Sequence, residues 1–211
     1  MLAKGSFSWI GGMALFTTVT GYFSKTLPGL ISILFFFLFA IGFALTLFFF
    51  IFFRDPKRTP LGDEDDAISP ADGRVISIQD RSISIFMNIH NVHVNRSPLA
   101  GTVTHIDYKP GGYIPAFNKD SYVNERNHVV INLGSGILEI TQIAGVLTRR
   151  IVSYVSDGTQ VERGERIGMI RFGSRVDVII PDVYEFVVAV NDKVRAGETV
   201  IAVKRSKIRE K

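Results

Sequence analysis

Apolar and polar positions divide the 211-residue chain into two parts. Residues 30–53 carry no charged side chain, and as a helix these 24 residues would extend about 36 Å at roughly 1.5 Å per residue. That length crosses a hydrocarbon core of about 30 Å. Residues 7–23 form a shorter apolar segment interrupted by glycines and threonines, and a Pro-Gly turn separates the two. The pattern predicts an N-terminal transmembrane helical hairpin, with residues 1–53 as the membrane anchor.

Charge predicts the orientation of this anchor. All 20 acidic residues lie at or after Asp55, and Arg54, Lys57 and Arg58 directly follow the second apolar segment. Because cationic flanks stay on the cytoplasmic side, we expect residues 54–211 at the cytoplasmic face of the cell membrane. A cleaved signal peptide is an alternative for the first segment, and a single span with an interfacial segment is the alternative to the hairpin.

Past residue 59, short runs of β-branched residues are bounded by Gly, Pro, Asn and Asp, which is typical of strands. Helical periodicity is nearly absent from this part. The predicted strands cover residues 73–79, 82–88, 101–108, 128–133, 136–144, 151–154, 166–172, 176–180, 187–190 and 199–203. So many short strands predict an all-β domain of antiparallel strands, a sandwich or a barrel.

A weak internal repeat refines this fold. Residues 161–167, VERGERI, recur 33 positions later as residues 194–200, VRAGETV. Two such turns predict two similar hairpins, resembling the barrel-sandwich hairpins of lipoyl and biotinyl carrier domains. A carrier needs a modifiable lysine between the two copies, whereas residues 181–184 read PDVY. A non-catalytic, membrane-tethered adaptor with a barrel-sandwich-like fold is therefore an alternative function.

Composition excludes several classes of protein. The absence of cysteine excludes thiol catalysis and a disulfide scaffold. A hydrophobic fraction of 46% argues against wholesale disorder. The formal charge of +4 is explained by the membrane flank and by contact with anionic lipid, so no nucleic-acid partner is expected.

Candidate chemistry begins with two histidines three residues apart, His90 and His93. Such a pair suits acid–base catalysis, a metal or a structural role. No His-Glu-x-x-His motif or cysteine accompanies it, so no metal is expected. Asp72 lies in a turn that enters a strand, and Gly173 and Ser174 interrupt an otherwise continuous strand; each has an ordinary explanation as turn or bulge chemistry.

Six short blocks follow one another along the chain: FRDPKR at 53–58, SPADG at 69–73, VHVNRSP at 92–98, NERN at 124–127, QIAG at 142–145 and RFGSR at 171–175. Together and in this order they resemble the phosphatidylserine decarboxylase family, specifically its short membrane-anchored branch, from about residue 53 to residue 202. The longer members usually have Leu-Gly-Ser-Thr where this chain has the Phe-Gly-Ser-Arg of the short branch.

The resemblance implies a proenzyme that cuts itself between Gly173 and Ser174. The products would be a β chain of residues 1–173 and an α chain of residues 174–211. Ser174 would become a covalent pyruvoyl cofactor at the start of the α chain. This cofactor would form a Schiff base with the amine of phosphatidylserine, or of an archaeal analogue, and release CO2 to give the ethanolamine lipid.

The resemblance also assigns roles within a catalytic set. Ser174 would be the nucleophile, His93 the base that takes its proton, and Asp72 the carboxylate that orients the imidazole, as in a Ser-His-Asp triad. A proton donor is needed after CO2 leaves, and the candidate is His90, which resembles the first histidine of the pair found in longer family members. A serine hydrolase that uses the same triad is a further alternative. Whether the protein forms a homo-oligomer stays open.

The substrate phosphate needs cationic partners, and Arg96 and Arg175 are the first candidates. Phe117 and Phe172 are candidates for lining an apolar pocket, although core packing explains them equally well. Further candidates for the phosphate are Arg149, Arg150 and Arg171.

Overall fold

The computed structural model of the protein describes residues 1–112, 123–145 and 151–209. The chain divides into two units, Met1–Pro56 and Lys57–Lys211. The first unit is helical, and the second consists mainly of β-strands. The predicted fold class, a β-rich domain preceded by apolar helices, is therefore confirmed.

Two helices form the first unit: α1, Phe7–Thr26, and α2, Gly29–Phe52. Their contact contains small and hydroxyl-bearing residues. The Oγ1 atoms of Thr17 and Thr46 lie 3.1 Å apart, and a Cβ built on Gly42 would meet Thr17 Oγ1 at 2.8 Å. Such residues let two apolar helices approach closely. Among the described helices, α2 alone is long and apolar enough to cross a membrane, by length and composition.

The second unit contains fourteen strands and one short helix within the described residues. All of the strand pairs are antiparallel. The elements are β1 Ala67–Ile68, β2 Gly73–Gln79, β3 Ser82–Met87, β4 Val94–Arg96, β5 Gly101–Lys109, β6 Arg126–Asn132, β7 Ile137–Ile143, β8 Ile151–Ser153, β9 Gln160–Val161, β10 Arg166–Ile170, β11 Ser174–Ile179, β12 Tyr184–Phe186, β13 Lys193–Val194, β14 Val200–Lys204 and α3 Arg205–Arg209.

The strands form three sheets. An eight-stranded sheet has the order β13-β2-β3-β11-β7-β6-β5-β9, and two three-stranded sheets have the orders β1-β14-β12 and β4-β10-β8. Strand β11 lies between β3 and β7, so it is hydrogen-bonded along both edges. Because side chains alternate along a strand, Ser174 shares the buried face of β11 with Val176 and Val178.

The weak sequence repeat corresponds to two equivalent turns. Gly164 and Gly197 both have a left-handed backbone, with φ of +83° and +72°. The N–H of Gly164 donates to the carbonyl of Ser97, and the N–H of Gly197 donates to the carbonyl of Ser69, both at 2.8 Å. Each serine precedes a proline. The two predicted turns are thus docked in the same way, each against its own Ser-Pro segment.

One predicted strand, residues 187–190, is wrong. The strand in this region is β12, which ends at Phe186. Beyond it, the N–H of Ala189 donates to Asp192 Oδ2 at 2.8 Å, and this contact belongs to a turn. Val187 and Val190 are exposed. The N–H of Val187 still donates to the carbonyl of Ile201 in β14 at 2.9 Å. Residues 188–190 then turn away from this pairing, so the apolar residues that predicted a strand do not form one.

Candidate active site

A sharp turn joins β10 to β11, at the place where self-cleavage is predicted. Phe172 and Gly173 both have a left-handed backbone, with φ of +57° and +56°. For a residue with a side chain this conformation costs roughly 1–2 kcal/mol, and Phe172 adopts it while almost fully buried. The turn carries the chain from the β4-β10-β8 sheet into the eight-stranded sheet. The peptide bond before Ser174 therefore follows strained backbone.

The carbonyl group of Gly173 lies against Gly145. A Cβ built on Gly145 would sit 1.8 Å from the Gly173 carbonyl oxygen and 2.8 Å from its carbonyl carbon. Any side chain at position 145 would collide with this backbone, so the close approach requires glycine. The carbonyl carbon held here is the atom that a Ser174 nucleophile would attack.

Ser174 is fully buried at the first position of β11, opposite Met87 of β3. Its hydroxyl donates to Met87 Sδ at 3.5 Å. A thioether sulfur is a weak acceptor, so this contact holds the hydroxyl less firmly than an oxygen acceptor would. The hydroxyl can therefore exchange this partner for a base at little cost.

His93 is buried next to the same turn, because its carbonyl oxygen accepts the N–H of Ile170 at 3.1 Å. The imidazole Nδ1 lies 2.9 Å from the carbonyl oxygen of Asn91. A carbonyl oxygen only accepts hydrogen bonds, so Nδ1 carries the proton in this contact. In the neutral ring Nε2 is then the basic nitrogen, which is the tautomer that a general base needs.

Asp72 is buried and receives three donors. Arg58 Nη2 lies 3.0 Å from Asp72 Oδ2, the N–H of Ala196 lies 2.8 Å from Oδ1, and the N–H of Val92 lies 3.4 Å from Oδ2. Val92 immediately precedes His93, so the carboxylate is tied to the histidine segment through the backbone. The sequence assigned Asp72 to the imidazole itself, whereas the imidazole Nδ1 contacts a backbone carbonyl.

Arg58 has a role that sequence reasoning missed. Its charge was interpreted as a signal of membrane topology, together with the charges of Arg54 and Lys57. In the structure its side chain is only 10% exposed and pairs with both Asp72 and Glu198, at 3.0 and 3.1 Å. Because Arg58 follows an apolar segment, its charge has an obvious explanation as a topology signal. No local sequence pattern indicates that it pairs with Asp72 and Glu198.

His90 lies on the surface, in the turn from Asn88 to Asn91. The N–H of Asn91 donates to the carbonyl of Asn88 at 2.9 Å, which closes this turn. His90 and Asp72 line one pocket with a volume of about 470 Å³. The structure thus brings these two predicted residues to a common cavity, whereas Ser174 is buried and is not among the described residues that line it.

The predicted phosphate ligands have other partners. Arg96 is buried, and its Nη1 donates to the carbonyl of Gly164 at 2.9 Å. The Arg175 guanidinium lies 3.0 Å from Asp177 on the same strand. Arg171 and Phe172 are buried beside the β10–β11 turn. The candidates Phe117, Arg149 and Arg150 lie outside the described residues.

A chain of buried amides leads to Met87 and was also missed. Asn127 Nδ2 donates to Gln142 Oε1 at 3.0 Å, and Gln142 Nε2 donates to Asn95 Oδ1 at 2.8 Å. Asn95 Nδ2 lies 3.6 Å from Met87 Sδ, the sulfur that Ser174 contacts. All five side chains are buried. The available signal was an amide at an inward position of an apolar strand, as at Gln142.

Comparisons with known proteins show which family the chain resembles. A family model described as phosphatidylserine decarboxylase matches residues 45–82 and 79–202. A Methanococcoides burtonii protein, provisionally named an archaetidylserine decarboxylase proenzyme, is 49% identical over 208 residues, which is 98% of each chain. A Methanosarcina mazei protein of the same name is 48% identical over 202 residues, 96% of each chain.

A second group of relatives matches a shorter part of the chain. The phosphatidylserine decarboxylase proenzyme of Streptomyces coelicolor is 51% identical over 153 residues, which cover 70% of this chain and 69% of its own. Among solved structures, a crystal structure of cbpa from L. salivarius REN covers 56% of this chain and 69% of its own. Its TM-score of 0.29 and identity of 14% are too low to indicate a shared fold.

Proposed function

The chain belongs to the phosphatidylserine decarboxylase family and is a decarboxylase, and we propose that it is a self-processing, pyruvoyl-dependent enzyme for a serine phospholipid. The relatives that match almost the whole chain are named for archaetidylserine, and the Streptomyces relative is named for phosphatidylserine. Both lipids present a serine headgroup, so the reaction is the same for either. The products are CO2 and the corresponding ethanolamine lipid.

The observation that carries the proposal is the strained turn directly before a buried serine. Phe172 and Gly173 are both left-handed, and Gly145 lies against the Gly173 carbonyl. Cleavage of the following bond would relieve this backbone strain. Ser174 supplies a hydroxyl with a weak partner, and His93 supplies a buried imidazole in the basic tautomer. These features support self-processing.

In the proposed self-cleavage, Ser174 Oγ attacks the Gly173 carbonyl carbon while His93 Nε2 takes the hydroxyl proton. The proton passes to the Ser174 nitrogen as the C–N bond breaks, which leaves an ester between the two residues. Loss of the Ser174 Cα proton then breaks the ester C–O bond and releases the Gly173 carboxylate. One water replaces the nitrogen of Ser174, which leaves as ammonia, and a ketone remains at the start of residues 174–211.

The chain fits this group at position 174. Ser174 begins a strand that is hydrogen-bonded on both edges, so the new N-terminus stays in place after cleavage. When formed, the pyruvoyl group supplies a carbonyl that condenses with the substrate amine and accepts the electrons left by CO2. His90 is proposed to hold the proton that the product carbon needs, because it lines the pocket shared with Asp72.

Membrane attachment completes the proposal. Residues 1–53 are proposed as the anchor, with two helices, and residues 54–211 as the catalytic domain at the cytoplasmic face. Support comes from the apolar length of α2 and from the cations Arg54 and Lys57 beyond it. Such an anchor would hold the enzyme where its lipid substrate lies.

The test uses the purified full chain in detergent micelles that contain phosphatidylserine or archaetidylserine labelled in the serine carboxyl. We expect labelled CO2 and the ethanolamine lipid in equal amounts. The Ser174→Ala variant, once circular dichroism has shown that it is folded, should release neither CO2 nor the ethanolamine lipid. Equal CO2 release by this variant would overturn the proposed role of Ser174.

A further inference from the structure

The pocket that contains His90 also carries three surface cations. They are Arg74 of β2, Lys193 of β13, and Arg195, which follows β13. We call this cavity of about 470 Å³ the cationic pocket, and its volume falls in the range of small-molecule sites. All three cations are exposed, so their charged groups are accessible to a solute.

Two of these cations oppose each other across neighbouring strands. Lys193 and Arg74 are direct partners in the β13–β2 ladder. Like charges in this position are destabilising unless an anion lies between them. Arg74 Nη1 donates to the Asn191 carbonyl at 3.2 Å, and within residues 1–112, 123–145 and 151–209 neither cation pairs with a carboxylate. The nearby Asp192 instead accepts the N–H of Ala189.

The carboxylates beside the cationic pocket are already matched. Asp72 and Glu198 both pair with Arg58, at 3.0 and 3.1 Å. Arg195 approaches Glu198 only to 3.7 Å. Four cations, Arg58, Arg74, Lys193 and Arg195, therefore lie beside the three carboxylates of Asp72, Glu198 and Asp192. The local excess of positive charge predicts an anionic ligand.

We propose that the cationic pocket binds the phosphate of the serine phospholipid headgroup, an inference that rests on the proposed function. Arginine and lysine together suit a phosphate, because the guanidinium gives two parallel donors and the ammonium a point charge. The phosphate would neutralise the opposed pair of Arg74 and Lys193. His90 lines the same cavity, so a headgroup held there lies beside the proposed proton donor.

The assignment differs from the sequence prediction. Arg96 and Arg175 were the first candidates, but Arg96 donates to a backbone carbonyl inside the protein, and Arg175 pairs with Asp177. The sequence does not single out Arg74 or Lys193, because neither lies in a motif that indicates phosphate binding. Only the pairing of β13 with β2 brings them together.

The test measures binding of sn-glycero-3-phosphoserine and of inorganic phosphate to the detergent-solubilised full chain. The proteins are the wild type, Arg74→Gln, Lys193→Gln and the double variant. The matched control is Arg81→Gln, an exposed arginine paired with Asp182 outside the pocket. Each pocket variant should weaken glycerophosphoserine binding about tenfold, as for loss of a charge-assisted hydrogen bond, and the control should leave it unchanged.

A second readout is thermal stability. Because Arg74 and Lys193 repel each other, Lys193→Gln should leave the unfolding temperature equal to the wild type or higher; Arg74→Gln is unsuitable for this readout, because it also removes the hydrogen bond to the Asn191 carbonyl. A fall in the unfolding temperature of Lys193→Gln would show that the opposed cations stabilise the fold, and this would overturn the proposal. Weaker ligand binding by a variant of unchanged stability would support it.

Comparing the two ligands also distinguishes a headgroup phosphate from free inorganic phosphate. If inorganic phosphate binds as tightly as glycerophosphoserine, and the variants keep the wild-type KM for the lipid, the pocket is a free-phosphate site and the headgroup proposal is wrong. The same binding assay on Ser174→Ala separates this proposal from the function, because this variant should still bind glycerophosphoserine although it releases no CO2. Binding that depends on Arg74, in a wild-type preparation that releases no CO2, would support the pocket and contradict the proposed activity.

Discussion

Gly145 touches the carbonyl group of Gly173, and a Cβ on Gly145 would lie 1.8 Å from that carbonyl oxygen. We therefore predict that Gly145→Ala slows self-cleavage. The added methyl must push the strained turn away from its position, and overpacking of this kind costs about 1–3 kcal/mol. The half-time of processing, followed by electrophoresis after synthesis, should lengthen by about tenfold or more.

The matched control for this variant is Gly112→Ala. A Cβ there would meet nothing closer than 3.6 Å, so the substitution should be accommodated. Processing of Gly145→Ala at the wild-type rate would show that the Gly173 carbonyl need not be held in this place.

Loss of Arg58 should destabilise the catalytic domain. Arg58→Met leaves the buried Asp72 carboxylate without its cation, and breaking a buried pair costs about 3–5 kcal/mol. We expect the lower end of that range, because backbone N–H groups still bind Asp72. Denaturant unfolding in detergent measures the change. The double variant Arg58→Met with Asp72→Asn should recover part of the loss.

Lys57→Gln serves as the control, because Lys57 is an exposed neighbour of Arg58. Its stability should match that of the wild type. If Arg58→Met were equally stable, the ion pair would contribute nothing, and a positioning role for Arg58 beside Asp72 would be lost.

The buried amide chain predicts an effect at Gln142. Replacing Gln142 by methionine preserves its volume but removes the partners of Asn127 Nδ2 and Asn95 Oδ1. Each unsatisfied buried group costs about 1–3 kcal/mol. We expect unfolding at lower denaturant and slower processing, because Asn95 also contacts Met87 beneath Ser174. Gln79→Met, at an exposed position on β2, should change neither quantity.

Stability in acid should depend on Lys207. This lysine contacts Asp63, Asp65 and Asp66, and hydrogen bonds from Lys207 and then Lys204 lower the pKa of Asp65 from 3.8 to about 2. A carboxyl with a lowered pKa stabilises the fold above its unfolded pKa, and this contribution is lost as pH falls through the folded value. The loss therefore occurs between about pH 4 and pH 2.

The measurement compares unfolding temperatures at pH 5 and pH 3. The wild type should lose more than Lys207→Met, because the variant keeps only the ion pair between Lys204 and Asp65. The difference should be small and should shrink at high salt, since these groups lie at the surface. An equal loss in both proteins would contradict the predicted linkage.

The sequence predicted the longer strands well, because alternation is visible over many residues. Strand β2 has the predicted bounds, and β3 and β5 differ from theirs by one residue. Strands of two residues, such as β1 and β13, are too short to show alternation, and only pairing with a distant strand defines them. The predicted start of β11 at residue 176 was late, because a Gly-Ser pair reads as a turn.

The sequence predicted which residues form the candidate site, but it did not predict the contacts that their side chains make. Ser174, His93 and Asp72 came from short blocks that resemble a family, and no local pattern states what each side chain contacts. The contacts of Asp72 with Arg58 and with the N–H of Ala196 depend on how separate segments pack. The carbonyl at His93 Nδ1 belongs to Asn91, two residues away, but the sequence does not show that the ring turns toward it. The same limit applies to the opposed pair of Arg74 and Lys193, which lie far apart in sequence.

The central claim is self-cleavage between Gly173 and Ser174, and the intact mass of the purified protein under denaturing conditions tests it most directly. We predict two species, one of them about 4.2 kDa, the 38/211 share of a 23.5 kDa chain. The smaller species should be lighter than a serine-started fragment by one ammonia, and it should be absent from Ser174→Ala. The two pieces should stay together until denatured, because β11 lies between β3 and β7. A single uncut 23.5 kDa chain in a preparation that decarboxylates the lipid would contradict the account.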